Sequence, residues 1–271
     1  MTGGARLDPR DVIGLLAGRM RMKLDDWRDG AVAPLVDPLD ACFVVGCGNS
    51  GTTLVASRLG EHPDAFTIPR ETAMFRPRRR LREARGKLEG WMGKARTAGA
   101  RCLVEKTPKH VHHIDRVRHL LPEARVVIVQ RNPFDTVLSL KTRFRTGVEF
   151  GIRRWLLDNA PALNLPEDDR TTRLHFERLT AAPEIELRRL VAFLGLPWDA
   201  RVLESRGTAY KAVAHKMPTM RLRTQQVAEP IRPNDGKWRT HLSAAEIDRV
   251  RVRTASLFEA LGGDPDSGAW R

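Results

Sequence analysis

Five short apolar runs recur along the chain: CFVV at 42–45, AFTI at 65–68, RCLVE at 101–105, RVVIVQ at 125–130 and TRLHF at 172–176. The stretches between them carry apolar residues at helical spacing. Runs that are apolar throughout, rather than alternating with polar residues, fit strands buried on both faces, and strands separated by helices fit a parallel sheet. The expected fold class is therefore α/β, a central parallel sheet flanked by helices. Ligands of such sheets sit beyond the carboxyl ends of the strands. The residues to read for chemistry are those that follow each run: the loop after Gly46, Arg70-Glu71, Lys106-Thr107 and Arg131-Asn132.

The chain has 271 residues, 41% of them hydrophobic, enough for one large core. Residues 8–27 repeat Val12, Ile13, Leu15, Leu16, Met20 and Leu24 at helical spacing behind Asp8-Pro9, and a Pro-rich linker follows. The expected organisation is an N-terminal helix and linker over 1–40, then a single domain over 41–271 whose polar segment at about 205–240 forms a binding lid. A last helix is expected from Ser243 to about Leu261. No apolar run approaches the roughly 20 residues of a membrane span, and the N-terminus lacks a secretory layout, so the expected location is the cytoplasm. Three cysteines, Cys42, Cys47 and Cys102, fall in or beside the runs without metal-ligand spacing and read as reduced structural thiols. A net charge of +14 would draw any polyanion and does not choose among them.

The loop VVGCGNSGTTL, from residue 44, passes from strand through glycines to a helix start, an arrangement that aims backbone N–H groups and a helix dipole at one spot. It is a phosphate seat without the lysine of a nucleoside-triphosphate loop: Thr52 stands where G-x-x-x-x-G-K-[ST] has lysine. Arg131 ends the fourth run, and Ser139 lies two turns into the helix that NPFDTVLSL opens. The pair could hold a second phosphate; by spacing alone, a surface arginine and a helix serine fit equally well. Lys106 could bring the missing cation from a neighbouring strand.

The ordered blocks SGTTL, EKTP, VVIVQRNPFDTVLSL, LHFERLTAAPEIELRRLVAFLGLPWD and GKWRTHLS, spread over roughly residues 41–260, resemble the sulfotransferases that use 3'-phosphoadenosine 5'-phosphosulfate (PAPS). The resemblance implies a P-loop-like fold and sulfuryl transfer to a hydroxyl of a small-molecule, lipid or carbohydrate acceptor, anionic ones included, with no metal and no nucleic-acid partner. It implies that Gly48, Asn49, Ser50, Gly51, Thr52 and Thr53 hold the 5'-phosphosulfate and that Arg131 and Ser139 hold the 3'-phosphate. Phe176 matches an aromatic position near the adenine, and Arg232, Lys237, Trp238 and Arg239 match a cationic lid. Glu71 matches a catalytic glutamate and becomes the expected general base, with His110, His112 and His113 as competitors; Lys106 matches a lysine near the transferred group. His110 and His113 also share a helical face that suggests a metal pair, but no third ligand is evident.

Two departures stand out. Asn49 occupies a position where relatives carry Lys or Arg, and only one basic residue precedes Pro233 where cytosolic relatives have a basic pair and glycine. Two other readings therefore stay open: a P-loop phosphotransferase, opposed by the absent lysine and acidic metal site, and a nucleotide- or polyanion-binding protein that lost its chemistry. The basic run RPRRRLREARGK at 76–87 fits either a solvated helix face or a site for an anionic acceptor.

Overall fold

A computed structural model describes residues 31–204, 229–233 and 236–271, with positions 17, 20, 23, 24 and 26. The N-terminal helix expected over 8–27 and the lid expected over 205–240 lie largely outside the described residues.

All five runs form strands: β1 Asp40–Gly46, β2 Ala65–Thr67, β3 Cys102–Lys106, β4 Arg125–Gln130 and β5 Thr171–His175. They pair in parallel in the order β2-β3-β1-β4-β5. The pleat sends alternate side chains to opposite faces, so each strand feeds two cores. On one face Phe43, Val45, Leu103, Val126 and Ile128 pack with Leu88, Trp155 and Phe258. On the other, Cys42, Val44, Val104, Val127 and Val129 pack with Val55, Leu59, Leu187 and Leu190.

The helices that supply these partners are α1 Thr52–Leu59, α2 Leu81–Thr97, α3 Ile114–Leu120, α4 Pro133–Phe144, α5 Val148–Asn159, α6 Phe176–Ala181, α7 Pro183–Phe193, the short α8 Trp238–His241 and α9 Ala244–Ala260. The Ser243 start of the last helix is as expected, with a reciprocal cap between Ser243 and Glu246. Half of the basic run precedes α2, as an exposed turn in which Arg78 has φ 69°.

The three cysteines are free and buried. Burial pushes each thiol up, Cys102 to about 12. They are structural, as the sequence suggested. No helix among the described residues is long and apolar enough to cross a membrane.

The strand order positions the site. After β1 the chain turns toward β2, and after β4 it turns toward β5. The crevice opens where the two connections diverge, between the carboxyl ends of β1 and β4. Register brings Gly46 beside Val129, and Lys106 beside Val44.

Candidate active site

The loop after β1 is shaped by two glycines with no substitute. Gly46 has φ 137°, and a Cβ there would lie 2.3 Å from the Val129 carbonyl oxygen. Gly51, at φ 101°, starts α1, and a Cβ there would lie 2.4 Å from the Phe176 ring. No side chain caps α1, and its first turn holds no acid, so its first N–H groups face the crevice with the dipole uncompensated. Thr52 is buried and Thr53 half-buried at that helix start.

Ser50 is fully buried, its hydroxyl 2.8 Å from the Cys47 carbonyl and 3.0 Å from the Val129 carbonyl. Its single proton therefore serves the loop's own shape. Asn49 takes the left-handed conformation, φ 71°, that asparagine tolerates. Its Nδ2 donates to Ser139 Oγ at 3.1 Å, and Arg143 Nη1 donates to its Oδ1 at 2.9 Å. The loop and α4 thus meet at the expected 3'-phosphate serine, and Arg143, one turn beyond Ser139, brings a cation to the position that lacks one. Burial lowers the Arg143 guanidinium, and the Glu71 carboxylate opposes that shift. A second guanidinium lies behind the loop: a Cβ on Gly48 would approach Arg154 Nη2 at 3.3 Å.

Arg131 follows β4 and is 8% exposed, its guanidinium 4.5 Å from the centre of the Phe176 ring. Trp155 Nε1 donates to its carbonyl at 3.0 Å. Phe176, expected near the adenine, and Arg131, expected on the 3'-phosphate, are therefore in contact over Gly51.

The next residues anchor the segment expected to close the site. Asn132 caps α4 by accepting from Asp135 N–H at 2.8 Å, and Asp135 Oδ2 accepts from Gly236 N–H at 2.8 Å. Phe134 stacks on Trp238 with centroids 4.4 Å apart. Trp238 is accordingly a core residue that seats its neighbours; Lys237, Arg239 and Arg232 are exposed. Arg58 of α1 bonds residues on either side of 205–228, donating to Leu203 O at 3.1 Å and Glu229 O at 2.8 Å.

At the end of β3, Lys106 Nζ lies 2.6 Å from Glu71 Oε1. Lys106 is buried, whereas the Glu71 side chain is 40% exposed. A buried ammonium and an accessible carboxylate in contact can move a proton and stabilise charge at one place.

The competing histidines are committed elsewhere. His110 is fully buried: its Nε2 accepts from Phe75 N–H at 3.3 Å, which assigns the proton to Nδ1, 3.0 Å from Glu105 Oε2. His112 faces the buried Asp158 at 3.0 Å. Burial, then His112, push His113 down to about 3, too weak a base for neutral pH. Asp158 itself gathers Lys109, His112 and Arg154 beneath the loop; burial raises it, but these partners hold it at about 2.

Sequence reasoning missed Arg143, Asp135 and the Glu105–His110 contact. Arg143 carried a weak signal, four residues after Ser139 and so on the same helical face.

The model of the Sulfotransferase family matches residues 88–200. Protein-tyrosine sulfotransferase 1 of Danio rerio is 26% identical over 257 residues, covering 82% of this chain and 72% of that protein. Nodulation protein NoeE of Sinorhizobium fredii is 26% identical over 228 residues, covering 62% of this chain and 52% of that protein, so the match spans about half of NoeE. In fold, the chain resembles the sulfotransferase domain of the Synechococcus PCC 7002 olefin synthase, with TM-score 0.62 at 20% identity over 84% of this chain and 99% of that domain. It also resembles mouse sulfotransferase SULT7A1, whose crystal structure is complexed with PAP: TM-score 0.53, 13% identity, 88% and 89% covered. A five-stranded all-parallel sheet, a glycine loop without the triphosphate-loop lysine and the Lys106–Glu71 contact accompany these matches: the chain resembles sulfotransferases in sequence and in fold, and the likeness supports sulfuryl transfer.

Proposed function

We propose that the donor is PAPS and the acceptor a hydroxyl of a small molecule, lipid or carbohydrate. The observation that carries this reading is the 2.6 Å contact between Lys106 and Glu71, made beside an anion loop whose neighbours are cationic. The residues present fit the donor. An uncapped helix start suits the 5' end, and Arg131 with Ser139 suits the 3'-phosphate; Phe176, against the Arg131 guanidinium, offers a face for the adenine. PAPS, when bound, supplies a sulfuryl group on a phosphate leaving group.

The chain's own residues do the rest. Glu71 takes the acceptor's proton on its carboxylate, for which its exposure, the bonds made by His110 and His112 and the weak basicity of buried His113 argue. Lys106 faces the charge that develops on the leaving side, with the N–H groups of Gly51 to Thr53. Arg143, through its bond to Asn49, replaces the cation that relatives carry in the loop. Sulfuryl transfer resembles phosphoryl transfer in being loose and in-line, so positioning and charge do most of the work. A phosphate leaving group carries less charge than a triphosphate, and the reading needs no metal. Three free buried cysteines support a reducing compartment, the cytoplasm. Nucleic acid has no place in it.

A second reading of the acceptor, a tyrosyl phenol, is favoured by the names of relatives such as Protein-tyrosine sulfotransferase 1 and Protein-tyrosine sulfotransferase A of Caenorhabditis elegans. The test is transfer of labelled sulfate from PAPS to phenols, tyrosyl peptides, sugars and lipid alcohols. Turnover with one class and a 10²- to 10⁴-fold loss of kcat, roughly, in Glu71→Gln is expected. No transfer to any class beside intact nucleotide binding would favour a protein that kept the fold and lost the reaction.

A further inference from the structure

The mechanism leaves a fully buried carboxylate, Glu105, without a role, although it directly precedes Lys106. Its Oε1 accepts from Thr72 Oγ1 at 2.7 Å, Thr107 Oγ1 at 2.6 Å and Thr72 N–H at 3.3 Å. Its Oε2 faces His110 Nδ1 at 3.0 Å, and His110 Nε2 in turn accepts from Phe75 N–H. Thr107 Oγ1 also accepts from the N–H groups of Thr72 and Ala73, at 3.1 and 3.3 Å. Five of these contacts hold the turn just after Glu71, and the Thr107 and His110 contacts to Glu105 tie them together. That turn contains Ala73 at φ 50°, a conformation that a β-carbon disfavours and that persists only where its surroundings fix it.

Burial pushes the Glu105 carboxyl up, but the facing His110 imidazole and the Thr107 and Thr72 hydroxyls hold it below its ordinary range. It is thus a charge kept ionised in the interior, facing a His110 ring that itself packs on Phe43 and Phe75. A neutral apolar residue would fill that space at lower cost if packing were all that mattered.

We infer that Glu105 and His110 are positioning residues: together with Thr72 and Thr107 they bind the turn that carries Glu71 to the strand end that carries Lys106, and so set the geometry of the reacting pair. The inference rests on the proposed role of Glu71. Its logic is that of neighbours in sequence. Glu105 fixes the backbone on either side of the 2.6 Å contact, since Thr72 follows Glu71 and Lys106 follows Glu105.

Glu105→Gln tests it. A glutamine nitrogen at Oε2 would oppose the His110 Nδ1 proton, and at Oε1 it would oppose the Thr72 N–H, so one arm of the chain breaks in either orientation. Expected is a roughly 10- to 100-fold fall in kcat, as for a misplacement of about 1 Å, with the Kd for 3'-phosphoadenosine 5'-phosphate (PAP) unchanged within about twofold. The Glu105→Gln, Glu71→Gln double variant should be no slower than Glu71→Gln alone, because both act through one group. Thr72→Val, on the half-buried rim, reports the same contact where Glu105→Gln fails to fold, and Thr72→Ser should restore the rate. A fully active Glu105→Gln or Thr72→Val, or multiplicative losses in the double variant, would overturn the inference while leaving the base assignment intact. An unchanged rate in Glu71→Gln would overturn that assignment and this inference with it.

Discussion

Replacing Gly46 by alanine adds one methyl group at the hinge between the central strand and the anion loop. The structure gives two separable costs. At φ 137° an L-residue is strained, for roughly 1–3 kcal/mol. The new Cβ would also lie 2.3 Å from the Val129 carbonyl oxygen, which is backbone of β4 and has no rotamer to escape into. Separating the strands there would pull that carbonyl from the Ser50 hydroxyl, 3.0 Å away, at about 1 kcal/mol more. The sum is about 2–4 kcal/mol, a large part of the roughly 5–15 kcal/mol that holds a domain together. Gly90→Ala is the control. It sits exposed inside α2 with nothing within 4 Å of the added carbon, and it should stabilise by about 0.5–1 kcal/mol. Urea unfolding of both variants at a common m value reads the two signs, and PAP titration of Gly46→Ala reads the loop. A Gly46→Ala protein as stable as the parent, with full nucleotide affinity, would refute the assigned loop geometry.

Other perturbations follow from the same contacts. Arg131→Ala should weaken PAP binding by roughly 1.5–3 kcal/mol and erase preference for the 3'-phosphorylated nucleotide in calorimetry. Lys106→Ala should lower kcat by about 10²- to 10³-fold in the sulfate-transfer assay. Arg143→Met should slow turnover, and Asn49→Lys should restore it in that background while doing little in the parent, where Arg143 already stands there. Stability should fall on acidification from about pH 6.5 toward 4. His113 and His175 are held neutral in the fold, each at about 3 because of burial, so the unfolded chain alone takes up their protons across that window. The slope is at most about 1.4 kcal/mol per pH unit from each histidine, and His113→Phe should reduce it in unfolding curves measured against pH, unless the substitution itself misfolds the chain.

The sheet was readable because parallel strands buried on both faces are written as unbroken apolar runs, and all five lie within two residues of where the runs placed them. The glycine turn after β1 was readable from glycine spacing, and the strand-end place of Arg131 from the run before it. What escaped reading depends on tertiary approach. Nothing in the sequence brings Arg143 to Asn49: they are 94 positions apart and meet only because β4 lies next to β1. The Asp135 bond to Gly236 spans 101 residues in the same way. Glu105 reads as a polar intruder in an apolar strand, and its meaning emerges only when Thr72 and His110 close on it. The histidines were competitors for the base on paper; in the fold His110 and His112 face carboxylates, and burial keeps His113 neutral.

The most direct test of the account is calorimetric titration of the purified protein with PAP, beside ADP and ATP without magnesium. The account predicts selective binding of PAP, with the preference lost in Arg131→Ala. No binding, or a preference for ATP, would contradict the donor site built from the Gly46 loop, Arg131 and Ser139.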